Sequence, residues 1–97
     1  MIQVVVRQEA ETDLQSAFDW YEARRVGLGL AFREAVDRTI ARIAESPRAF
    51  PVRYRDLRRA LVRRFPYAVY YRAYDDVVAI TAVVHGSRHE RMWKSRA

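Results

Sequence analysis

Ile2, Val4 and Val6 alternate with Gln3, Val5 and Arg7, which predicts a short strand with one strongly apolar face. From about Glu9 the period changes. Ala10, Leu14, Ala17, Phe18 and Tyr21 recur at three- and four-residue steps, the spacing of one helix face. Glu9, Glu11 and Asp13 fall near the positive end of that helix dipole. The helix should stop before Gly27, with Arg24 and Arg25 in its last turn, where cations are favoured. A second helix is predicted from about Leu28 to Ala44, striped by Phe32, Ala35, Val36, Thr39, Ile40 and Ile43. Ser46-Pro47 ends it, because the residue before proline is pushed out of the α region. The link around Val26-Gly27 is short, so the two helices should form an antiparallel hairpin.

Beyond Pro51 the period becomes two. Arg58 to Arg64, Tyr67 to Tyr74 and Val77 to His85 read as three strands, with a tight turn at Asp75-Asp76. Arg48 to Arg55 falls in the loop before the sheet. Gly86-Ser87 breaks the last strand, and Arg88 to Ala97 forms a short basic tail of one or two helical turns. The predicted order is β-α-α-β-β-β. Two striped helices need a sheet face to cover, so the fold class is α+β, a helical hairpin on one face of a small, mostly antiparallel sheet. The other face is left for something else. Strict alternation puts Arg59, Leu61 and Arg63 on one side of their strand and Arg58 and Arg64 on the other. It also puts His85 on one face with Thr81, Val83 and Ala79, so a sheet face or edge should carry arginine, tyrosine and histidine together.

Length and composition narrow the class. Ninety-seven residues make a single domain, 1–97, large enough to fold without a disulfide or metal staple. There is no cysteine, which removes disulfides and zinc-thiolate sites. No apolar run approaches the ~20 residues needed to cross a bilayer. The N-terminal residues do not have the order of a signal peptide, so the expected location is the cytoplasm, with no membrane partner. Charge adds the sharpest signal. Residues 1–46 carry six basic and eight acidic side chains, a net of −2, while residues 47–97 carry twelve and four, a net of +8. All basic residues but Lys94 are arginine. A planar guanidinium grips phosphate or carboxylate through two N–H groups, so a one-sided arginine field points to a polyanionic or acidic partner.

The run Arg59-Ala60-Leu61-Val62-Arg63-Arg64-Phe65-Pro66-Tyr67-Ala68-Val69-Tyr70-Tyr71, the aspartate turn, Ala79-Ile80-Thr81-Ala82-Val83-Val84-His85-Gly86 and Arg88 together resemble the RelE/ParE superfamily of bacterial type II toxins. Ala10, Asp13-Leu14, Trp20-Tyr21-Glu22, Gly27-Leu28-Gly29, Phe32, Ser46-Pro47 and Phe50-Pro51 extend the likeness over nearly the whole chain. The resemblance implies a helical hairpin on a small sheet, the order derived above. It also implies neutralisation by a co-expressed antitoxin with a partly disordered or acidic segment, and a toxin–antitoxin hetero-oligomer. RelE-like members cut messenger RNA on the ribosome; ParE-like members inhibit DNA gyrase.

RNA cleavage needs a base, an acid and cations on the phosphorane. By resemblance Arg63 and Arg88 match phosphate-holding arginines, and His85 or His89 would move the proton. The late tyrosine is replaced by Trp93, which cannot exchange that proton, and the sheet lysines are missing. Phe65-Pro66-Tyr67, His85-Gly86, Arg88 and Trp93 favour the ParE-like branch, so the expectation is a binding toxin that targets gyrase. The alternatives are a ribosome-dependent endoribonuclease using Arg63, Arg88 and His85, and a non-toxic basic nucleic-acid-binding module. Target contact is expected from Arg59, Arg63, Arg72, Arg88, Arg91, Trp93 and Arg96, and antitoxin contact from Trp20, Tyr21, Arg58 and Arg63. No cofactor and no metal are expected. Tyr67, Tyr70, Tyr71 and Tyr74 are expected mainly to pack on the sheet, Trp93 could anchor the tail, and Glu22 and Glu90 have no evident role.

Overall fold

The chain folds around one five-stranded sheet; the computed structural model describes residues 2–86 and 90–97. In order the elements are β1 (Gln3–Val6), α1 (Gln8–Arg24), α2 (Leu28–Glu45), β2 (Val52–Tyr54), β3 (Leu57–Leu61), β4 (Tyr67–Ala73), β5 (Val77–His85) and α3 (Glu90–Ser95). The strand order is β1-β5-β4-β3-β2. Every neighbouring pair is antiparallel except β1 with β5. This is the expected α+β fold, a helical hairpin on a mostly antiparallel sheet.

The hairpin turns where Gly27 adopts φ 90°, a left-handed backbone that glycine enters without a Cβ clash. Glu22, near the end of α1, accepts hydrogen bonds from the N–H groups of Gly27 and Gly29, both at 2.9 Å, and so satisfies donors that the start of α2 leaves open. A Cβ on Gly29 would stand 2.7 Å from the Phe18 carbonyl oxygen, so only glycine lets α1 and α2 approach this closely. Ala10, Leu14 and Ala17 of α1 and Phe32, Ala35, Val36 and Ile43 of α2 are buried against Ala60, Val69, Tyr71, Val78, Ile80 and Val83 of the sheet. Tyr21, Phe32, Phe65 and Tyr67 close one end of this core with edge-on and tilted ring contacts.

The opposite sheet face is covered, where the sequence left it open. α3 lies on it, and the Trp93 ring stacks on Tyr70 at 4.2 Å between ring centres, beside Leu57, Ala68, Ala82 and Val84. Trp93 is only 6% exposed.

Three strand-level expectations change. The segment 52–54, expected as loop, is a strand: a reversal at Arg55, whose φ is 52°, returns the chain so that Tyr54 pairs with Leu57. Three residues are too few for alternation to register. The strand expected from Arg58 to Arg64 runs instead from Leu57 to Leu61. Arg64 takes φ 74°, Pro66 brings no N–H, and the loop is closed by Val62 N–H donating to the Tyr67 carbonyl at 2.9 Å. Arg63 is therefore outside the ladder and does not share a strand face with Arg59. Last, β5 carries a bulge. Tyr70 faces Ala82 while Tyr71 faces Ile80, which leaves Thr81 as the extra residue, with its hydroxyl donating to the Tyr70 carbonyl at 3.2 Å. Past Thr81 the side chains change faces, so Val83 joins Val78 and Ile80 in the hairpin core, and His85 is separated from Ala79.

Candidate functional site

The pairing of β1 with β5 ends at Val6 and Ile80. Beyond it, the edge of β5 turns toward α1, and a carboxylate replaces the missing strand. Asp13 accepts from Val83 N–H at 3.0 Å and from both terminal nitrogens of Arg96, at 2.7 and 3.3 Å. Arg96 also donates to the Thr81 carbonyl at 3.0 Å. Buried backbone polar groups demand such partners. The same contacts tie the C-terminal segment to α1 and β5.

Next to this clamp lies a groove of about 620 Å³ between α1 and the ends of β4 and β5. Its walls include Asp13, Ser16, Trp20 and Tyr21 of α1, Pro66, Tyr67 and His85 from the sheet end, and Met92 of α3. Trp20 is 50% exposed, with the Arg24 guanidinium 3.5 Å over its ring. Burial, and secondarily the nearby Tyr67, raises the pKa of Tyr21 above its ordinary value, so its phenol stays neutral. His85 opposes Tyr67 on the hairpin side, 5.5 Å between rings, and its Nδ1 is buried without a hydrogen-bond partner among the described residues. The groove thus offers a half-open aromatic wall and a histidine, the makings of a site for a peptide segment.

The other expected site residues are scattered. Arg59 pairs with Tyr70 on the α3 side of the sheet, across from His85. Arg72 is largely covered and held by Asp56 at 2.9 Å. Arg58 donates to the carbonyls of Arg48 and Phe50, so it braces the loop before β2. Arg96 and Trp93 are engaged in the clamp and in the stack on Tyr70, so neither projects as an open contact while α3 is seated. Arg63 and Arg91 are exposed. Trp20 and Tyr21 line the groove together. Arg88 and His89 lie outside the described residues. Sequence reasoning gave two residues, Asp13 and Glu22, no part in holding the structure together. Asp13 sits on the apolar stripe of α1, one step from Leu14 and between Ala10 and Ala17; a carboxylate at such a position is the signal that could have found it. Glu22 gave no such signal, because its partners are backbone N–H groups.

A five-stranded sheet with a two-helix hairpin on one side and a C-terminal helix on the other defines a small toxin-like fold with an aromatic-walled groove at its edge. The chain matches the model of the family described as ParE toxin of the type II toxin–antitoxin system parDE over residues 4–90, and it belongs to that family. It is 34% identical over 82 residues to Toxin ParE2 of two Mycobacterium tuberculosis strains, CDC 1551 / Oshkosh and H37Rv, spanning 84% of this chain and 78% of each relative. Its fold is similar to that in a structure of the chromosomal ParDE toxin–antitoxin system from P. aeruginosa, with a TM-score of 0.79 at 14% identity, over 90% of this chain and 98% of the other.

Proposed function

We propose that this ParE-family protein arrests bacterial growth in the cytoplasm by binding DNA gyrase, and that a cognate antitoxin neutralises it in a hetero-oligomer. Membership of the ParE family is the observation that carries the reading. The side-chain chemistry favours binding over RNA cleavage. Cleavage would need a proton-transfer group facing phosphate-holding cations. Of the residues that reading would use, Arg63 stands off the ladder in the β3–β4 loop, and no sheet lysine is present to join it. Trp93 packs its ring against Tyr70, and its indole N–H can donate a hydrogen bond but cannot act as an acid or base. The exposed Arg63 and Arg91 and the half-buried Arg59, with Arg88, are assigned to target contact. The groove beside Trp20 and Tyr21 is assigned to a segment of the antitoxin whose apolar side chains would pack against the aromatic wall.

The test joins culture and enzyme assays. Induced expression should stop growth, co-expression of the neighbouring antitoxin gene should restore it, and purified protein should inhibit gyrase supercoiling or trap cleaved DNA. Codon-positioned cuts in ribosome-bound message with gyrase untouched would overturn the reading.

A further inference from the structure

On the far side of the hairpin from the groove, α2 and the β3–β4 loop enclose a hollow of about 260 Å³ lined by Ala35, Arg38, Thr39, Ala41, Arg42 and Arg63. Among the described residues no carboxylate lies within ion-pair distance of Arg38, Arg42 or Arg63. That is costly, because Arg38 and Arg42 are like charges four apart on one helix face, an arrangement that destabilises a helix. Arg42 is also held in place: its Nη2 donates to Thr39 Oγ1 and to the Leu61 carbonyl, both at 3.3 Å. The Thr39 hydroxyl donates in turn to the Ala35 carbonyl at 3.0 Å. On the loop side, Arg64 adopts φ 74°, a backbone that costs a non-glycine residue about 1–2 kcal/mol, next to Arg63 on the rim.

We propose that Arg38, Arg42 and Arg63 form a cradle for the phosphodiester backbone of a nucleic acid. A carboxylate is planar and is satisfied by one guanidinium fork, whereas a tetrahedral phosphate presents oxygens in several directions at once. Guanidiniums arriving from a helix and from a facing loop suit the second shape. The lining has no aromatic ring on which a base could stack, so contact here positions a strand without reading its sequence. The cradle stands apart from the partner groove and does not depend on gyrase being the target.

Anisotropy of a labelled DNA duplex and a labelled single-stranded RNA, each about 20 nucleotides long, titrated with the full chain over a range of salt, tests this. The Arg38→Gln, Arg63→Gln double variant removes two exposed arginines and should keep the wild-type melting temperature. The control is Arg53→Gln, Arg55→Gln, an equal charge loss at the opposite end of β3. The cradle variant should bind at least about ten-fold more weakly than the control, and its plot of log affinity against log salt should be shallower by about 2, one unit per lost phosphate contact. Should the double variant not fold, Arg63→Gln alone should flatten the slope by about 1. A loss confined to duplex or to RNA identifies which nucleic acid supplies the phosphodiester. Any smaller difference between the pairs, no binding by the wild-type chain, or competition by poly-glutamate as effective as that by DNA overturns the proposal.

Discussion

Asp13 and Arg96 lie 83 positions apart in the chain and form a two-toothed ion pair at 2.7 and 3.3 Å. Asp13 also receives Val83 N–H, and Arg96 reaches the Thr81 carbonyl, so a single pair holds α1, β5 and the C-terminal segment together. The side chains are 11% and 17% exposed, a setting where breaking one partner costs more than the pair is worth on its own. Asp13→Asn and Arg96→Met should each destabilise the fold by about 2–4 kcal/mol, since each leaves the other charge buried and unpaired. Denaturant melts of both single variants and the double variant measure it; strict additivity would show that the two side chains do not act as a unit.

Trp93 should be the main anchor of α3. Trp93→Ala removes the ring stacked on Tyr70 and should cost about 3–5 kcal/mol, the range for a buried aromatic cut to alanine. Near-ultraviolet circular dichroism should lose the stacked-ring signal. A spectrum unchanged apart from the tryptophan absorbance would place the ring elsewhere.

The hairpin turn depends on a glycine and a carboxylate. Gly29→Ala drives a methyl to within 2.7 Å of the Phe18 carbonyl oxygen and 2.9 Å of a Glu22 carboxylate oxygen, so the helices must part. A loss of about 1–3 kcal/mol is expected, the size of an overpacking effect. Glu22→Ala, which only frees the N–H groups of Gly27 and Gly29, should cost about 1 kcal/mol. Thermal melts giving Glu22→Ala the larger effect would contradict this order.

Alkaline pH should loosen the fold through two phenols. Burial raises the pKa of Tyr71 above its ordinary value of 10.0, partly offset by the Arg58 cation, and burial with Tyr67 nearby raises Tyr21. A phenol with a raised folded-state value holds its proton more tightly folded than unfolded. Its contribution to stability is therefore complete below the ordinary value and is lost as pH rises through the raised one. Absorbance at about 295 nm should show Tyr21 and Tyr71 ionising above the ordinary tyrosine range. Tyr71→Phe, which also removes the 2.6 Å bond to the Pro47 carbonyl, should flatten the pH dependence of stability above pH 10.

Trp20→Ala separates partner binding from folding. The ring is half exposed and packs on Tyr21 and under Arg24, so its loss should leave the melt within about 1 kcal/mol of wild type. Affinity for the antitoxin should fall at least about ten-fold, as for an aromatic anchor at an interface. Calorimetry on the purified pair measures it, and an unchanged affinity would move the antitoxin off the groove.

Local rules sufficed for much of this protein. The period of Ala10, Leu14, Ala17 and Tyr21, the breaks at Gly27 and Ser46-Pro47, and the turn at Asp75-Asp76 are near-neighbour effects, and the hairpin, the extent of β5 and the α+β class follow from them. The order of short motifs along the chain was enough to suggest the toxin superfamily. Tertiary structure decided what alternation cannot encode. The bulge at Thr81 moves His85 away from Ala79, because one extra residue reverses every later side chain of a strand. The left-handed turn at Arg64 takes Arg63 off the sheet and sets it beside Arg38 and Arg42, which a linear charge count assigned to a different half of the molecule. Arg72 and Arg96, counted in the same basic field, are held by Asp56 and Asp13. Sequence determines how many charges a chain carries; folding determines which ones already have a partner, because that depends on distance in space and not along the chain.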